Sequence, residues 1–271
     1  MKTIKDKILT AYSCASPIRL PVIQAVACGS NVINIIADSN PTYQGGDSIV
    51  WGLIRGAKEI MTQTSAMGND FFHIDNAYFG RNLFYRVTHN ALQLSSIPTK
   101  VIDNRYKKIL SALNKNINPW KRTRNGPIVI CPSSPFLYSY YSTNLDDWIC
   151  QTVSTLRRYT ERPIKIRYKE LMPKDDIDQD ICDSWCVVTH VSAAGLDALR
   201  LGIPIITTGI CAGTPLSTPI NKIESPMLNE GREQLFSYLA YGQFTIDEME
   251  KTNVLEIAAQ NAKINLIQAP D

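Results

Sequence analysis

The stretch CVVTHVSAAGLDALRLGIPIITT, residues 186–208, decides the fold. It consists of an apolar strand (186–188), a turn of small and polar residues (189–194), an amphipathic helix (195–201) and a second apolar strand (204–207). This succession predicts a βαβ unit. In open parallel sheets, ligands bind beyond the carboxyl ends of strands, where loop amides and the following helix N-terminus favour an anion. The turn is therefore a predicted anion site.

Strands alternate with helices along most of the chain. Three strand–helix steps precede residue 80, and a second series begins at residue 127 with PIVICPSS, DDWICQTVSTLRRYT and PIKIRY. The alternation predicts an α/β fold with parallel sheets covered on both faces. We expect two Rossmann-like domains, 1–116 and 117–240, joined near a polar, basic stretch. A final segment, 241–271, carries a predicted helix (246–264) that can pack back on the first domain.

Composition limits the classes of protein to consider. The chain has 271 residues, of which 44% are hydrophobic and 20% charged, enough to bury a sizeable core. No apolar run reaches the roughly 18 residues of a membrane span, and the N-terminus lacks a secretion signal, so we expect a soluble cytoplasmic protein. The seven cysteines are odd in number and are predicted to be reduced. Cys182 and Cys186 form CxxxC without a matching pair, so no metal site is expected.

Positive charge is concentrated in the first half. Through residue 116 there are 13 Lys and Arg against 7 Asp and Glu, whereas the remainder has 15 against 18. Between Lys100 and Arg124, eight basic residues accompany one acid. This excess is compatible with a phosphate-rich partner such as nucleic acid. A solvated connector between domains would have the same composition.

The turn THVSAAG contains the first set of candidate ligand contacts. Ala193, Ala194 and Gly195 are small enough for the backbone to approach a phosphate. His190 and Ser192 supply an imidazole and a hydroxyl as donors, and the helix dipole favours negative charge. An ordinary strand-to-helix turn would also use small residues, and a single His can be structural.

Two further strand ends carry candidates for the same ligand. Ser133 and Ser134 follow the strand PIVIC, where each can hold a phosphate oxygen or cap the next helix. Arg167, and after it Lys169, lie near the end of the strand PIKIRY. A basic group there is costly without a partner, so it is a candidate for neutralising a diphosphate. A salt bridge to an acid within 175–183 is the alternative.

Two acidic residues are candidates outside that edge. The segment HIDNAYFGR, residues 73–81, places Asp75 in the loop after an apolar strand, where a carboxylate can act as general base, and His73 can hold or replace it. A capping Asp beside a structural Tyr and Arg is the alternative. Glu224 follows the last βα loop and can accept from ribose or sugar hydroxyls, although a helix-entry acid would occupy the same position.

These motifs resemble a known family. VVTHVSAAGLDALRLGIPIITT resembles the donor-binding half of GT-B glycosyltransferases, particularly the capsule-polysaccharide type. HIDNAYFGR, YRVTHNALQ, LRRYTERPIKIR and IESP with GREQ also resemble glycosyltransferase-like proteins of bacteriophages. The resemblance covers roughly residues 48–248. It implies two Rossmann-like domains facing across a cleft, with a nucleotide-sugar held mainly by the second domain and an acceptor by the first.

The resemblance also implies a set of site residues. Carried over by position, the donor set is Ser133, Ser134, Arg167, His190, Ser192 and Glu224, with Asp75 in the acceptor half. Lys169 and residues 193–195 complete the predicted donor site. The predicted acceptor contacts are Tyr78, Arg81 and Arg86. The chain has no DxD motif at a strand end, which is consistent with a mechanism without metal or cofactor, in which Lys, Arg and helix dipoles replace a cation.

The leading hypothesis is a metal-independent hexosyl- or pentosyltransferase. Asp75 deprotonates an acceptor hydroxyl, while Arg167 and the turn stabilise the departing phosphate. The basic first half and the phage-like resemblance favour a 5-hydroxymethylpyrimidine in phage DNA as acceptor. The flipped base would stack on an aromatic side chain, and the candidates are Tyr43, Trp51, Tyr78 and Phe79. The alternatives are transfer to a capsule or surface saccharide, and nucleotide or nucleic-acid binding without catalysis.

Overall fold

The computed structural model describes residues 9–13, 18–30, 34–100, 102–121, 123, 125–168 and 176–267, with side chains to residue 263. The chain divides into two compact units. Unit 1 comprises Met1–Leu94 and Leu239–Asp271, and unit 2 comprises Ser95–Tyr238. These units have other bounds than the predicted domains 1–116 and 117–240, so the division into those two domains remains a prediction. Within the described ranges, no helix combines the length and hydropathy needed to cross a bilayer.

The elements follow one another in three groups. The first group is β1 (Leu9–Ser13), α1 (Arg19–Ser30), β2 (Asn34–Ala37), β3 (Asp47–Trp51), α2 (Ala57–Ala66), β4 (Phe71–Asn76) and β5 (Tyr85–His89). The second is α3 (Arg105–Ala112), β6 (Ile128–Ile130), α4 (Pro135–Tyr140), α5 (Leu145–Leu156), β7 (Ile164–Ile166), α6 (Ile177–Ile181), β8 (Cys186–Thr189), α7 (Ala194–Leu201), β9 (Ile205–Thr207) and α8 (Arg232–Ala240). The third is β10 (Gln243–Phe244), α9 (Ile246–Lys251) and α10 (Val254–Ile267).

The sheet of unit 1 is mixed, with strand order β10-β5-β4-β3-β1-β2. Strands β1 to β4 are parallel, whereas β5 pairs antiparallel with β4 and with β10. The expectation of parallel strands is therefore wrong for this edge. The connection from β4 to β5 contains Gly80 and Asn82 at positive φ and is too short for a crossover helix, so the chain reverses as a hairpin.

One face of this sheet packs on α1 and the C-terminal helices. The buried cluster includes Ile49, Phe72, Val87 and Leu255. Gly29 permits a close approach of α1 to α9, because a Cβ there would lie 2.0 Å from the Met249 carbonyl oxygen. The predicted single helix 246–264 is wrong in one respect. It is broken between α9 and α10, since Thr252 has extended backbone angles (φ −137°, ψ 140°).

Unit 2 contains a parallel sheet with strand order β7-β6-β8-β9. Its strands are short apolar runs such as IVI and CVVT, typical of strands buried on both faces. The βαβ unit predicted for 186–208 is confirmed as β8, α7 and β9. Helix α7 ends at Gly202, whose left-handed backbone (φ 78°, ψ 29°) is the usual glycine C-cap. The carboxyl ends of β6, β8 and β9 therefore meet at one edge.

Candidate functional site

Three loops are cross-linked at the carboxyl edge of the unit 2 sheet. The Thr189 hydroxyl donates to the Cys131 carbonyl oxygen at 2.7 Å. The Ser133 hydroxyl oxygen accepts from the Val191 amide at 3.1 Å, and the Thr208 amide donates to the Thr189 carbonyl at 3.0 Å. These bonds join the loops after β6, β8 and β9, so side chains projecting from this edge are held by a fixed frame.

A pocket of about 670 Å³ opens beside this edge. Its volume lies within the usual range of about 300–1,000 Å³ for small-molecule sites. Eight Ser and Thr residues line it, together with one Gln, three aromatic side chains and three apolar ones. The lining contains no Asp, Glu, Lys or Arg. Such a surface offers hydroxyl hydrogen bonds and aromatic faces to an uncharged, polar ligand group.

One wall of the pocket comes from helix α5, whose role the sequence reasoning missed. Trp148, Gln151, Thr152 and Thr155 line the pocket at helical spacings of three, four and seven residues. The N-cap Asn144, whose side chain accepts from the Asp147 amide at 2.8 Å, fixes where this helix begins. A polar stripe of this kind on a predicted amphipathic helix was the signal in the sequence that could have identified the wall.

His190 lies at the centre of an aromatic group that lines the pocket. Its ring stacks on Tyr138 with centroids 5.5 Å apart and meets the Tyr141 ring edge-on at 5.0 Å. Its Nδ1 lies 2.9 Å from the Thr208 hydroxyl oxygen, which also accepts from the Trp148 indole N–H at 2.8 Å. Burial lowers the pKa of His190, which favours the neutral ring. The Nε2 atom is buried and has no hydrogen-bond partner among the described residues.

Of the predicted donor set, only His190 lines this pocket. Ser192 is used within its own turn, where its hydroxyl oxygen accepts from the Ala194 amide at 3.3 Å. Ala193 occupies the N-cap position of α7 without a side-chain cap bond. A Cβ added at Gly195 would meet side chains only at ordinary distances, the nearest being 3.5 Å, so packing does not require a glycine there. Contact of this turn with a phosphate stays a prediction.

The two serines after β6 have different surroundings. Ser133 is buried and joins two loops, since its amide also donates to the Tyr138 hydroxyl at 3.0 Å. Ser134 is the N-cap residue of α4, but its side chain makes no cap bond. The serine committed to local structure is therefore Ser133, and the hydroxyl of Ser134 remains the better candidate for a ligand.

The charged donor candidates are engaged in ion pairs. Arg167 Nε lies 2.6 Å from the Asp180 carboxylate, the salt bridge given as its alternative role. Glu224 lies 3.0 Å from Arg162 Nε and also accepts from the Thr160 hydroxyl. Lys169 lies outside the described residues. Because both side chains are paired with protein groups, contact of Arg167 or Glu224 with a nucleotide remains a prediction.

In unit 1, Asp75 and Arg86 form an ion pair at the end of β4. They are directly paired across β4 and β5, with Arg86 Nη2 2.7 Å from Asp75 Oδ2. Burial raises the pKa of the Asp75 carboxyl, but Arg86 and His73 oppose this and hold it below its ordinary value. Asp75 is therefore a carboxylate at neutral pH. The low pKa makes it a weaker base than an unpaired carboxyl.

His73 lies next to this pair and is almost fully buried, at 1% exposure. Burial lowers its pKa to about 4, the Asp75 charge opposes that shift, and the Arg86 charge adds to it. Neither ring nitrogen makes a well-formed hydrogen bond within the part of the chain described. His73 is therefore neutral at physiological pH, and its charge lowers the pKa of Asp75 only in acid, where the ring is protonated.

The acceptor candidates in unit 1 differ in exposure. Trp51 and Tyr78 are buried, at 7% and 5%, and are not available for stacking without rearrangement. Tyr43 and Phe79 are partly exposed, and Arg81 is exposed. Stacking of an extruded base, if it occurs, is thus restricted to Tyr43 or Phe79.

Metal coordination has no candidate within the ranges described, which contain no group of three or more His, Cys, Asp or Glu side chains arranged to hold an ion. Cys182 and Cys186 are both free thiols. Burial raises the pKa of the Cys186 thiol, so it is a thiol rather than a thiolate. The metal-independent mechanism stays a prediction.

Comparison with known proteins shows similarity in structure. No family model matches the chain, and no curated protein matches it. Two solved structures from Thermosulfurimonas dismutans KpsC are similar. The beta Kdo 2,4 transferase has a TM-score of 0.53 and 11% identity over 93% of this chain and 97% of its own. The beta Kdo 2,7 transferase has a TM-score of 0.54 and 12% identity over 93% and 99%. At this identity the comparison shows the fold, an α/β architecture shared with two sugar transferases.

Proposed function

We propose that the chain is a glycosyltransferase that moves a sugar from a nucleotide-sugar to a hydroxyl of a saccharide. The observation that carries this proposal is the uncharged, hydroxyl-rich pocket at the carboxyl edge of a parallel sheet. Support comes from two sugar transferases that share the fold over 93% of the chain. A GT-B-like pair of domains, with the donor on unit 2 and the acceptor on unit 1, is part of the proposal.

The nucleotide-sugar donor would bind to unit 2, because its chemical groups match the lining of the pocket there. Nucleoside and sugar groups are uncharged and rich in hydroxyls, and they match a lining of Ser, Thr and aromatic side chains. The phosphate would lie at the 192–195 turn, where the N-terminus of α7 offers amides and a partial positive charge. No step in this assignment requires a metal or other cofactor.

The reaction would be completed by a base. The acceptor O–H proton passes to Asp75, the hydroxyl oxygen forms a bond to the anomeric carbon, and the bond from that carbon to the phosphate oxygen breaks with its electrons leaving on the phosphate. Arg86, with its Nη2 on Asp75 Oδ2, orients the carboxylate, and Oδ1 accepts from the Asn76 backbone amide at 2.8 Å. Arg81, which is exposed, is the further acceptor contact in this proposal, whereas the buried Tyr78 accepts from the Leu94 amide at 2.7 Å.

A saccharide acceptor is preferred to DNA. The two solved structures described above are named as Kdo transferases, and neither supports a hydroxymethylpyrimidine. The basic stretch between Lys100 and Arg124 is the remaining argument for DNA. A phage DNA acceptor is therefore kept as an outcome of the test.

A second candidate is nucleotide binding without catalysis. The Asp75–Arg86 ion pair favours it, because a carboxylate held by a guanidinium at 2.7 Å is a poor proton acceptor. This candidate shares the unit 2 pocket with the first. It differs in predicting that bound nucleotide-sugar remains intact.

The test is a transfer assay with a panel of nucleotide-sugars. Each donor is offered to acidic and neutral oligosaccharides and to DNA containing 5-hydroxymethylcytosine, and products are followed by mass spectrometry. We expect transfer to a saccharide with at least one donor. Transfer to DNA alone would replace the saccharide by the DNA acceptor. Nucleotide binding without transfer to any acceptor would favour the non-catalytic candidate.

A further inference from the structure

The polar side chains that line the unit 2 pocket fall into two groups. On the β9 side, the hydroxyls bond to the protein. The hydroxyl oxygens of Thr207 and Thr214 lie 3.2 Å apart, and Ser217 accepts from the Thr207 amide at 2.8 Å. The Thr218 hydroxyl oxygen accepts from the Met227 amide at 3.0 Å. These bonds hold the loop after β9 in shape, so the polar groups of this wall serve the protein's own structure.

The opposite wall carries polar groups that the protein does not use. Four polar side chains of the lining form no hydrogen bond with any described residue, and all belong to α5 or to the turn before it. They are Tyr141, Thr143, Gln151 and Thr152. Thr155, further along α5, differs from them, because its hydroxyl donates to the Gln151 carbonyl oxygen at 2.8 Å. The capacity of the pocket for new hydrogen bonds is therefore concentrated on one side.

Thr152 is the most informative of the four, because only 5% of this residue is exposed. Buried hydroxyls in proteins are normally hydrogen-bonded, and one without a partner costs free energy. A bound ligand group would supply the missing bond. Gln151, the adjacent residue, is exposed and places its side-chain amide on the same pocket.

The chemistry of this pair favours a planar ligand with a polar edge. A Gln amide carries a donor and an acceptor in one plane, the pattern that pairs with two adjacent polar atoms on the edge of a nucleobase. Trp148, Ile206 and Ile220 add apolar surface to the lining, against which the faces of a planar ring can pack. A sugar ring has hydroxyls on all sides, so it would need hydrogen bonds from both walls rather than from one.

We propose that the nucleobase of the nucleotide-sugar binds in this pocket, with its polar edge hydrogen-bonded to Gln151 and Thr152. The phosphate stays outside the pocket, because the lining contains no cation. Gln151 and Thr152 thereby determine which bases are accepted. The identity of the ligand as a nucleotide-sugar rests on the proposed function, whereas binding of the base does not depend on transfer.

The test compares ribonucleoside 5′-monophosphates with ribose 5-phosphate, which lacks the base. We expect at least one nucleotide to bind with a lower Kd than ribose 5-phosphate in isothermal titration calorimetry. Gln151→Met and Thr152→Val nearly keep the side-chain size and remove the polar group. Each should raise the nucleotide Kd about two- to tenfold, the usual effect of one lost hydrogen bond, and leave the Kd of ribose 5-phosphate unchanged.

Ser154→Ala is the matched control, because Ser154 is exposed on α5 and lies outside the pocket lining. It should leave every Kd unchanged. Gln151 is exposed, so its variant tests the contact even if Thr152→Val does not fold.

Three results would overturn the inference. They are the absence of binding for every nucleotide, equal binding of nucleotides and ribose 5-phosphate, and an unchanged nucleotide Kd in both variants. Binding of free saccharides but of no nucleotide, weakened in the same variants, would overturn it in favour of a sugar in this pocket. The expected pattern of Kd values without transfer to any acceptor would support the base contact and count against the proposed function alone.

Discussion

The two units handle polar side chains at their sheet edges in opposite ways. In unit 1, the charges of Asp75 and Arg86 neutralise each other at 2.7 Å beside a buried His73. In unit 2, the pocket is open, about 670 Å³, and lined without any charged residue. The paired cluster holds the Asp75 carboxylate in a fixed position, whereas a neutral, hydroxyl-lined cavity suits binding. The comparison therefore separates the candidate base from the candidate binding site.

The difference follows from strand topology. In unit 1 the hairpin places Arg86 of β5 directly opposite Asp75 of β4, so the two side chains share a face at the strand end. In unit 2 strands β6, β8 and β9 are parallel, and each is followed by a loop rather than by a returning strand. Loops there present Thr and His side chains beyond the sheet, around a space that no returning strand occupies.

The largest expected effect comes from removing the charge of Asp75. If Asp75 is the base, Asp75→Asn should reduce kcat by about 10²- to 10⁴-fold, the usual contribution of a general base. Loss of the pairing to Arg86 should also lower the free energy of unfolding, by about 1–3 kcal/mol. Steady-state kinetics and urea unfolding measure the two effects separately.

The double variant Asp75→Asn with Arg86→Gln separates these effects. It removes the uncompensated charge, so stability should recover while kcat stays low. Glu59→Gln, on the exposed face of α2, is the matched control and should leave both quantities unchanged. If kcat of Asp75→Asn stayed within a few-fold of wild type, Asp75 would have only a structural role.

The regular part of the fold was predictable from local pattern. Short apolar runs and small-residue turns identified β8, α7 and β9, because parallel strands buried on both faces have a distinctive composition. His190 was identified from its position after β8, which does not depend on distant residues. Strand β5 was missed although YRVTH alternates polar and apolar residues as a strand does, because a βαβ pattern places a helix rather than a returning strand after β4.

Pairings between distant residues were not predictable. Glu224 meets Arg162, and Asp75 meets Arg86, through contacts that depend on three-dimensional arrangement rather than on spacing in the chain. The sequence alone does not identify such a partner, because any acidic residue near Arg167 could pair with it. Only the fold shows that the partner is Asp180. The Trp148–Thr208–His190 contact spans 60 residues and has the same limitation.

The next largest expected effect concerns the free energy of unfolding at low pH, and it tests the buried His73 of unit 1. His73 has a pKa of about 4 in the folded state and about 6.5 when unfolded, so the unfolded chain binds the additional proton. Stability is therefore lost as pH falls from about 6.5 to 4, by about 3 kcal/mol in total. His73→Leu should flatten this part of the profile, while His89→Gln should retain it. Urea unfolding midpoints at successive pH values measure it, and an unchanged slope in His73→Leu would refute it.

A steric test sharpens the comparison on the side of unit 2. Gly209→Ala places a Cβ 2.6 Å from the His190 ring, so the ring or the loop must move. We expect a loss of about 1–3 kcal/mol in the free energy of unfolding and weaker nucleotide binding. Gly195→Ala is the control for stability, since its nearest contact is at 3.5 Å. If Gly195→Ala weakened nucleotide binding at unchanged stability, the predicted approach of that turn to a phosphate would gain support, whereas full tolerance of Gly209→Ala would contradict the fixed ring.

The smallest expected effect has the opposite sign to that of His73 and lies in unit 2. Burial raises the pKa of Asp197, on the first turn of α7, to about 6, although Lys115 and Arg200 oppose the shift. The unfolded chain releases this proton near pH 4, so stability falls as pH rises from about 4 to 6. Because the side chain is 29% exposed, we expect Asp197→Asn to gain only about 1–2 kcal/mol at pH 8. Asp146→Asn, exposed on α5, should show no gain. A loss of stability in Asp197→Asn at pH 8 would mean that attraction to Arg200 outweighs desolvation, and unit 2 would then stabilise charge by pairing, as unit 1 does.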